Sequence, residues 1–178
     1  MQNVPVTNSA PPVADVKTPT EPHSIQIDRL PWGDPTGAQL RCEQRAELAI
    51  RYGVDDPEPG VKPTADDIAV FLVASIDGKA IACGALRKLD GEAAEAGDAE
   101  IKRMFVRSPK RGSGAATAVI RALEDEARSR GWMRLVLETG TAQPDAIRFY
   151  EREGYERIEN FGHYRGHATS LCFGRTLA

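Results

Sequence analysis

The passage from Ala99 to Arg128 constrains this chain most, because three kinds of local pattern follow one another there without a break. In "AEIKRMFV" (99–106), Ile101, Arg103 and Phe105 share one parity and Glu100, Lys102, Met104 and Val106 the other, which is the period of a strand. "PKRGSGAA" follows, with Lys110 and Arg111 in front of Gly112 and Gly114. Ala116, Val119, Ile120, Leu123 and Ala127 then recur at i, i+3, i+4, i+7 and i+11, one face of a helix that Gly131 ends. The first turn of a helix carries unpaired N–H groups and about half a positive charge. Glycine lacks a Cβ, so a ligand can come close to the backbone. With two basic side chains beside it, such a turn suits a pyrophosphate. The glycine pair alone reads equally as a plain turn. Neither GxxxxGK[ST] nor GxGxxG is completed, which excludes a nucleoside-triphosphate P-loop and the dinucleotide fingerprint.

The rest of the chain places this passage inside one domain, as 178 residues suggest. Residues 1–22 hold five prolines and few large apolar side chains, and read as a flexible tail before a domain over 23–178. A strand is predicted over 23–31. A helix follows, with Leu40, Ala46, Leu48, Ala49 and Tyr52 at helical spacing before Gly53. Residues 68–89 read as a hairpin around Asp77-Gly78. "MRLVLETG" is a further strand. "PDAIRFYEREG" is a short helix from Pro144 to Gly154, and "YERI" and "TSLCFGRTL" are the last strands. On that helix Phe149, about 100° from Tyr150, is the better core candidate. Strands in series followed by helix–strand alternation predict an α/β fold, a mixed sheet with helices on its faces.

Composition narrows the partners. A net charge of −3 argues against nucleic acid. No apolar run reaches the ~18 residues of a membrane span, so no membrane partner is expected. No basic-then-apolar leader is seen, and three cysteines without CxxC spacing fit a reducing compartment, so the chain is expected to be cytoplasmic. Cys83 and Cys172 lie in apolar runs and read as buried small hydrophobes. His163 and His167 have a metal-like spacing, but Gly162 and Gly166 place them in a loop without further ligands, and no metal is expected.

"EIKRMFVRSPKRGSGAATAVIRALEDEA" resembles the acetyl-CoA-binding segment of the GNAT acetyltransferase superfamily, whose pattern [Q/R]-x-x-G-x-[G/A] is filled by Arg111, Gly114 and Ala116. "AIRFYEREGYERI" resembles the family's second motif, and the order of elements from His23 to Ala178 agrees. Gln143 stands where many members have Asn, and Ala115 where a branched aliphatic is usual. The ending "FGHYRGHATSLCFGRTL" is similar to that of bacterial members of unassigned substrate.

The resemblance implies a single GNAT-like domain, its mostly antiparallel sheet splayed between strands 4 and 5. It implies an acetyl-CoA-dependent N-acetyltransferase acting on a primary amine of a small molecule or peptide, by direct attack in a ternary complex. Met104, Phe105 and Val106 would run beside the pantetheine arm, with the backbones of Met104 and Val106 bonding it. The N–H groups of Arg111, Gly112, Ser113, Gly114, Ala115 and Ala116 would hold the pyrophosphate. Tyr150 matches the tyrosine facing the coenzyme sulfur, a general acid, unless it is a core aromatic. Glu100 is the candidate base, or else an exposed strand-end carboxylate. Glu138 is a second candidate for the base, touching substrate or else only capping the following loop, and with Trp32 and Tyr164 it is a candidate for the acceptor pocket. A homodimer is compatible with this reading. A non-catalytic acyl-CoA sensor or subunit is the alternative.

Overall fold

A computed structural model describes residues 24–55 and 61–178, so the segment read as a tail lies outside the described residues. The elements are β1 (Gln26–Arg29), α1 (Pro35–Tyr52), β2 (Ile68–Ile76), β3 (Lys79–Lys88), β4 (Ala99–Val106), α2 (Ala115–Ser129), β5 (Arg134–Gly140), α3 (Pro144–Arg152), β6 (Glu156–Ile158) and β7 (Ser170–Thr176). This is the order that the sequence predicts.

Local chemistry explains most boundaries. Asp34 accepts the amides of Thr36 and Gly37 at 2.9 and 3.3 Å, and Pro35 opens α1 without losing a helical bond. Gly53 closes α1 in the left-handed region. Asp77 and Gly78 have φ of 51° and 71°, which fold Ile76 onto Lys79 in a two-residue hairpin turn.

The seven strands lie in the order β1-β2-β3-β4-β5-β7-β6. All pairs are antiparallel except β4–β5. That parallel pair holds only Ala99↔Leu135, Glu100↔Val136 and Ile101↔Leu137. Past Ile101 the two strands part, which is the expected splay.

Helices cover both faces. Val119, Ile120, Leu123 and Ala127 of α2 are fully buried against a core that includes Leu72, Ile81, Leu86 and Leu135. Each such Val, Leu or Ile contributes about 1.5–3 kcal/mol. On the other face Leu40 of α1 joins Phe71, Val73, Cys83 and Ala85.

The alternation read from the sequence of β4 breaks after Lys102. Cys83 faces Phe105 and Ala85 faces Lys102, so Arg103 and Met104 together oppose Gly84. Arg103 takes up the extra residue at φ 58°, a β-bulge. As a result Ile101 and Met104, three apart, pack on the α2 side, while Phe105 packs on the α1 side.

Gly84 makes room for this bulge. A Cβ there would lie 2.7 Å from Met104 Sδ and 2.7 Å from Val119 Cγ1. Gly84→Ala is therefore expected to lower stability by about 1–3 kcal/mol through overpacking. Urea denaturation should show a lower midpoint at unchanged slope; an unmoved midpoint would mean that α2 is not seated this tightly.

Candidate active site

The end of β4, the glycine loop and Tyr150, all singled out in the sequence, meet at one cavity of about 590 Å³; Glu100, Trp32, Glu138 and Tyr164 are not in its wall. Its walls are the end of β4 (Met104, Phe105, Val106), the loop and first turn of α2, the inner side of α3 and one face of α1. Gly114 precedes α2 at φ 88°, a conformation that side-chain-bearing residues rarely adopt. The space around the loop is open. A Cβ on Gly112 would meet nothing within 4 Å, and one on Gly114 only Ile25 Cδ1 at 3.9 Å. The first backbone bond of α2 runs from Ala118 N to Gly114 O at 2.9 Å, so the amides of Ala115, Ala116 and Thr117 precede it. The residues present therefore fit a diphosphate.

The six N–H groups expected to hold it are not equivalent. Those of Arg111 and Ser113 donate within the turn to Ser108 and Lys110, at 3.2 and 3.3 Å. Gly112, Gly114, Ala115 and Ala116 are in the cavity wall, and Ser113 is not. The Ser113 hydroxyl instead lies 3.4 Å from Ala115 N.

α1 is tied across the outer end of β4. Arg107 donates to both oxygens of Glu43, at 2.7 and 2.8 Å. Gln44 Nε2 donates to Met104 O at 2.9 Å. Arg111 donates to Glu47 Oε2 at 2.5 Å and to Val106 O at 3.2 Å. The two carbonyls expected to face an extended ligand each carry one side-chain bond, and each has a second lone pair.

A smaller cavity of about 110 Å³ shares Gln44, Met104 and Tyr150 with the larger one. Lys102, Arg103, Glu138, Thr139 and Tyr52 also line it. Tyr150 stands where the two meet. It is 6% exposed, with Phe149, Tyr155 and Phe173 at ring distances of 5.2, 6.0 and 6.3 Å. Phe149 is the less buried of the two neighbours, the reverse of the sequence reading. The turn of α3 aims Tyr150 at Phe173 and Tyr155 and leaves Phe149 in the wall of the larger cavity. Burial, with Glu138 adding to it, pushes the Tyr150 hydroxyl above its ordinary range, so it keeps its proton at neutral pH.

Glu100 is neither an exposed strand end nor part of either cavity wall. It is fully buried and accepts from Arg87 at 2.5 Å and from the Tyr164 hydroxyl at 2.7 Å, with Lys102 Nζ at 3.4 Å. Burial would raise its pKa, but Lys102, Arg87 and the Tyr164 bond outweigh it and hold the carboxyl below the usual range. Tyr164 is also buried behind the wall and accepts from Lys102 Nζ at 2.9 Å. Trp32 lies elsewhere, edge-on to Phe71 at 5.3 Å, with the Arg41 guanidinium 3.8 Å from its ring centre. Lys102, which pairs with Glu100, bonds Tyr164 and lines the smaller cavity, is not singled out by the sequence. The signal that could find it is a charged residue on the parity of Glu100 within a strand of the sheet. Burial pushes the Cys83 thiol up to about 12 and the Cys172 thiol up to about 11, as suits inert core cysteines. Among the described residues no helix is long and apolar enough to cross a membrane.

Comparison with known proteins agrees with this geometry. The profile of the Acetyltransferase (GNAT) family matches residues 26–155. An IAA acetyltransferase of Azospirillum brasilense is 37% identical over 107 residues, 60% of this chain and 67% of that protein. Two other relatives match over 44% and 61% of their own lengths, so the chain spans only part of them. The solved structure of a candidate acyl-CoA N-acyltransferase from Klebsiella pneumoniae superposes with TM-score 0.69 at 28% identity, over 86% of this chain and 98% of that one. A GNAT acetyltransferase from Elizabethkingia anophelis with acetyl-CoA bound shares the fold at TM-score 0.60 and 18% identity, over 86% of this chain and 98% of that one. With a profile match across most of the domain and a shared fold, the chain belongs to the GNAT family of acetyltransferases.

Proposed function

We propose that the chain transfers an acetyl group from acetyl-CoA to a primary amine of a small molecule or peptide, both held in one ternary complex. One observation carries this: the glycine cradle and Tyr150 line one cavity, and Tyr150 also lines the adjoining one that holds Glu138. In this reading Gly112, Gly114, Ala115 and Ala116 hold the diphosphate, with charge from Lys110 and Arg111. The edge of β4 opened past Ile101 aligns the pantetheine arm.

The reaction forms an N–C bond and breaks a C–S bond; the amine loses a proton and the thiolate gains one. An amine with pKa near ~10 costs about 4 kcal/mol to deprotonate at pH 7, so a base or proton route is needed. Glu138 is assigned that role, because it is the carboxylate that lines the smaller cavity with Tyr150. Glu100 supports Tyr164 and Lys102 in this scheme, since its own carboxylate is buried and weakly basic. Tyr150 keeps its proton at neutral pH and donates it to the departing sulfur. Holding both reactants together supplies further acceleration.

Free-thiol release and product mass over an amine panel test the whole reading. Binding of coenzyme A without turnover on any amine would instead favour a non-catalytic sensor. Gly114→Trp is expected to abolish coenzyme A binding in calorimetry and to lower the thermal midpoint through the left-handed φ of 88°, with circular dichroism used to verify that the variant is folded; retained affinity would remove the cradle. Tyr150→Phe should lower kcat by about 100-fold at nearly unchanged coenzyme affinity, and an unchanged kcat would end the general-acid assignment. Glu47→Gln takes away the carboxylate that holds Arg111. Coenzyme A should then bind up to about fivefold more tightly, the equivalent of one exposed ion pair; weaker binding would show that Glu47 positions Arg111 instead of competing for it.

A further inference from the structure

The smaller cavity has an excess of positive charge that the acetyl-transfer reading does not use. Lys102, Arg103 and Glu138 are the charged residues in its wall, two cations against one carboxylate. Even with Glu138 set against Arg103, Lys102 remains. Behind Lys102, Glu100 pairs with it, but as one carboxylate divided between two cations. That single carboxylate is shared with Arg87 at 2.5 Å and also takes the Tyr164 hydroxyl at 2.7 Å, while Lys102 Nζ stands at 3.4 Å. The Lys102 side chain is 16% exposed, so water screens it little. A partly buried cation in excess is costly unless an anion meets it.

Position supports the same conclusion. Lys102 Nζ is fixed from behind by the Tyr164 hydroxyl at 2.9 Å and has three donors to place. Tyr164 is buried, and Asn160 Nδ2 lies 3.1, 3.2 and 3.0 Å from the carbonyls of Tyr164, His167 and Ser170, so the loop behind the lysine is pinned. The ammonium is thus preorganised and does not sweep through solvent. The volume is about 110 Å³ against about 590 Å³ for the neighbouring cavity, which suits a small group.

We infer that this cavity selects a small amine that also carries an acidic group, as an amino acid does, with the acid seated on Lys102 and the amine turned toward Glu138 and Tyr150. The inference rests on the acetyl-transfer reading for the amine's position, but the anion site stands on Lys102 itself.

The test uses the full chain and the twenty amino acids, each matched with its amide and its decarboxylated amine. Acetylated product is read by mass, and acceptor binding is read by calorimetry with coenzyme A present. At least one acid-bearing amine should exceed its two neutral partners by tenfold or more in kcat/KM. Lys102→Met should erase that preference, and Lys102→Arg should keep part of it. The thermal midpoint of each variant verifies folding, and the charge-retaining Arg variant carries the test if the Met variant does not fold. Lys102-dependent binding of acids without acetylation would uphold the anion site and sink the transfer reading. Acetylation of neutral amines equally well, or a preference untouched in Lys102→Met, would overturn the inference and leave acetyl transfer standing. No binding or acetylation of any acid-bearing amine would also overturn it.

Discussion

The parting of β4 from β5 after Ile101 is the constraint on which the rest of the molecule depends. Two parallel strands that stay paired leave no backbone groups over. Here the pairing stops after three positions, and the bulge at Arg103 and Met104 turns the end of β4 away. A bulge bends its strand and increases the local twist. The smaller cavity lies in the wedge that results, between Lys102, Arg103 and Met104 of β4 and Glu138 and Thr139 of β5, and the larger one adjoins it, with the end of β4 and the α2 loop in its wall.

A wedge in a sheet would collapse without struts. On the α1 side they are Gln44 on the Met104 carbonyl and the Glu43 pair with Arg107. On the α2 side they are two buried carboxylates. Glu124 accepts from Arg121, Tyr155 and Arg175 at 2.9, 3.2 and 3.1 Å. Glu153 accepts from Thr117 and Arg121 at 2.9 and 2.8 Å. Glu153 follows α3 and Thr117 lies in the first turn of α2, so this network sets the distance between Tyr150 and the glycine cradle. Buried carboxylates like these are stable only when paired and hydrogen-bonded.

Charge along the wedge is graded. Backbone N–H groups, Lys110 and Arg111 stand at the end proposed to take the diphosphate, with Glu47 against Arg111. Aromatic rings surround Tyr150 in the middle. Glu138 and Lys102 stand at the far end. The overall charge of −3 shows none of this, because a few groups in a confined space outweigh the sum over a surface.

Much was legible in the chain itself. Periodicity, the Asp77-Gly78 turn and the capping glycines determine the elements and their order, because these are short-range effects of sterics and backbone hydrogen bonding. Gly112 and Gly114 mark the turn before α2 for the same reason: a left-handed residue in front of a helix is a local demand that glycine meets. Tertiary structure decided what depends on residues far apart. Glu100 reads as a base until Arg87 and Tyr164, from β3 and from the loop before β7, close around it. Trp32 reads as a pocket residue until Phe71 and Arg41 take its ring. Lys102 reads as a solvated strand residue until the wedge opens beside it. A side chain's chemistry is written in its type, but its burial, its partners and the charge left over are fixed only when distant segments pack, and those three quantities set what the site can bind.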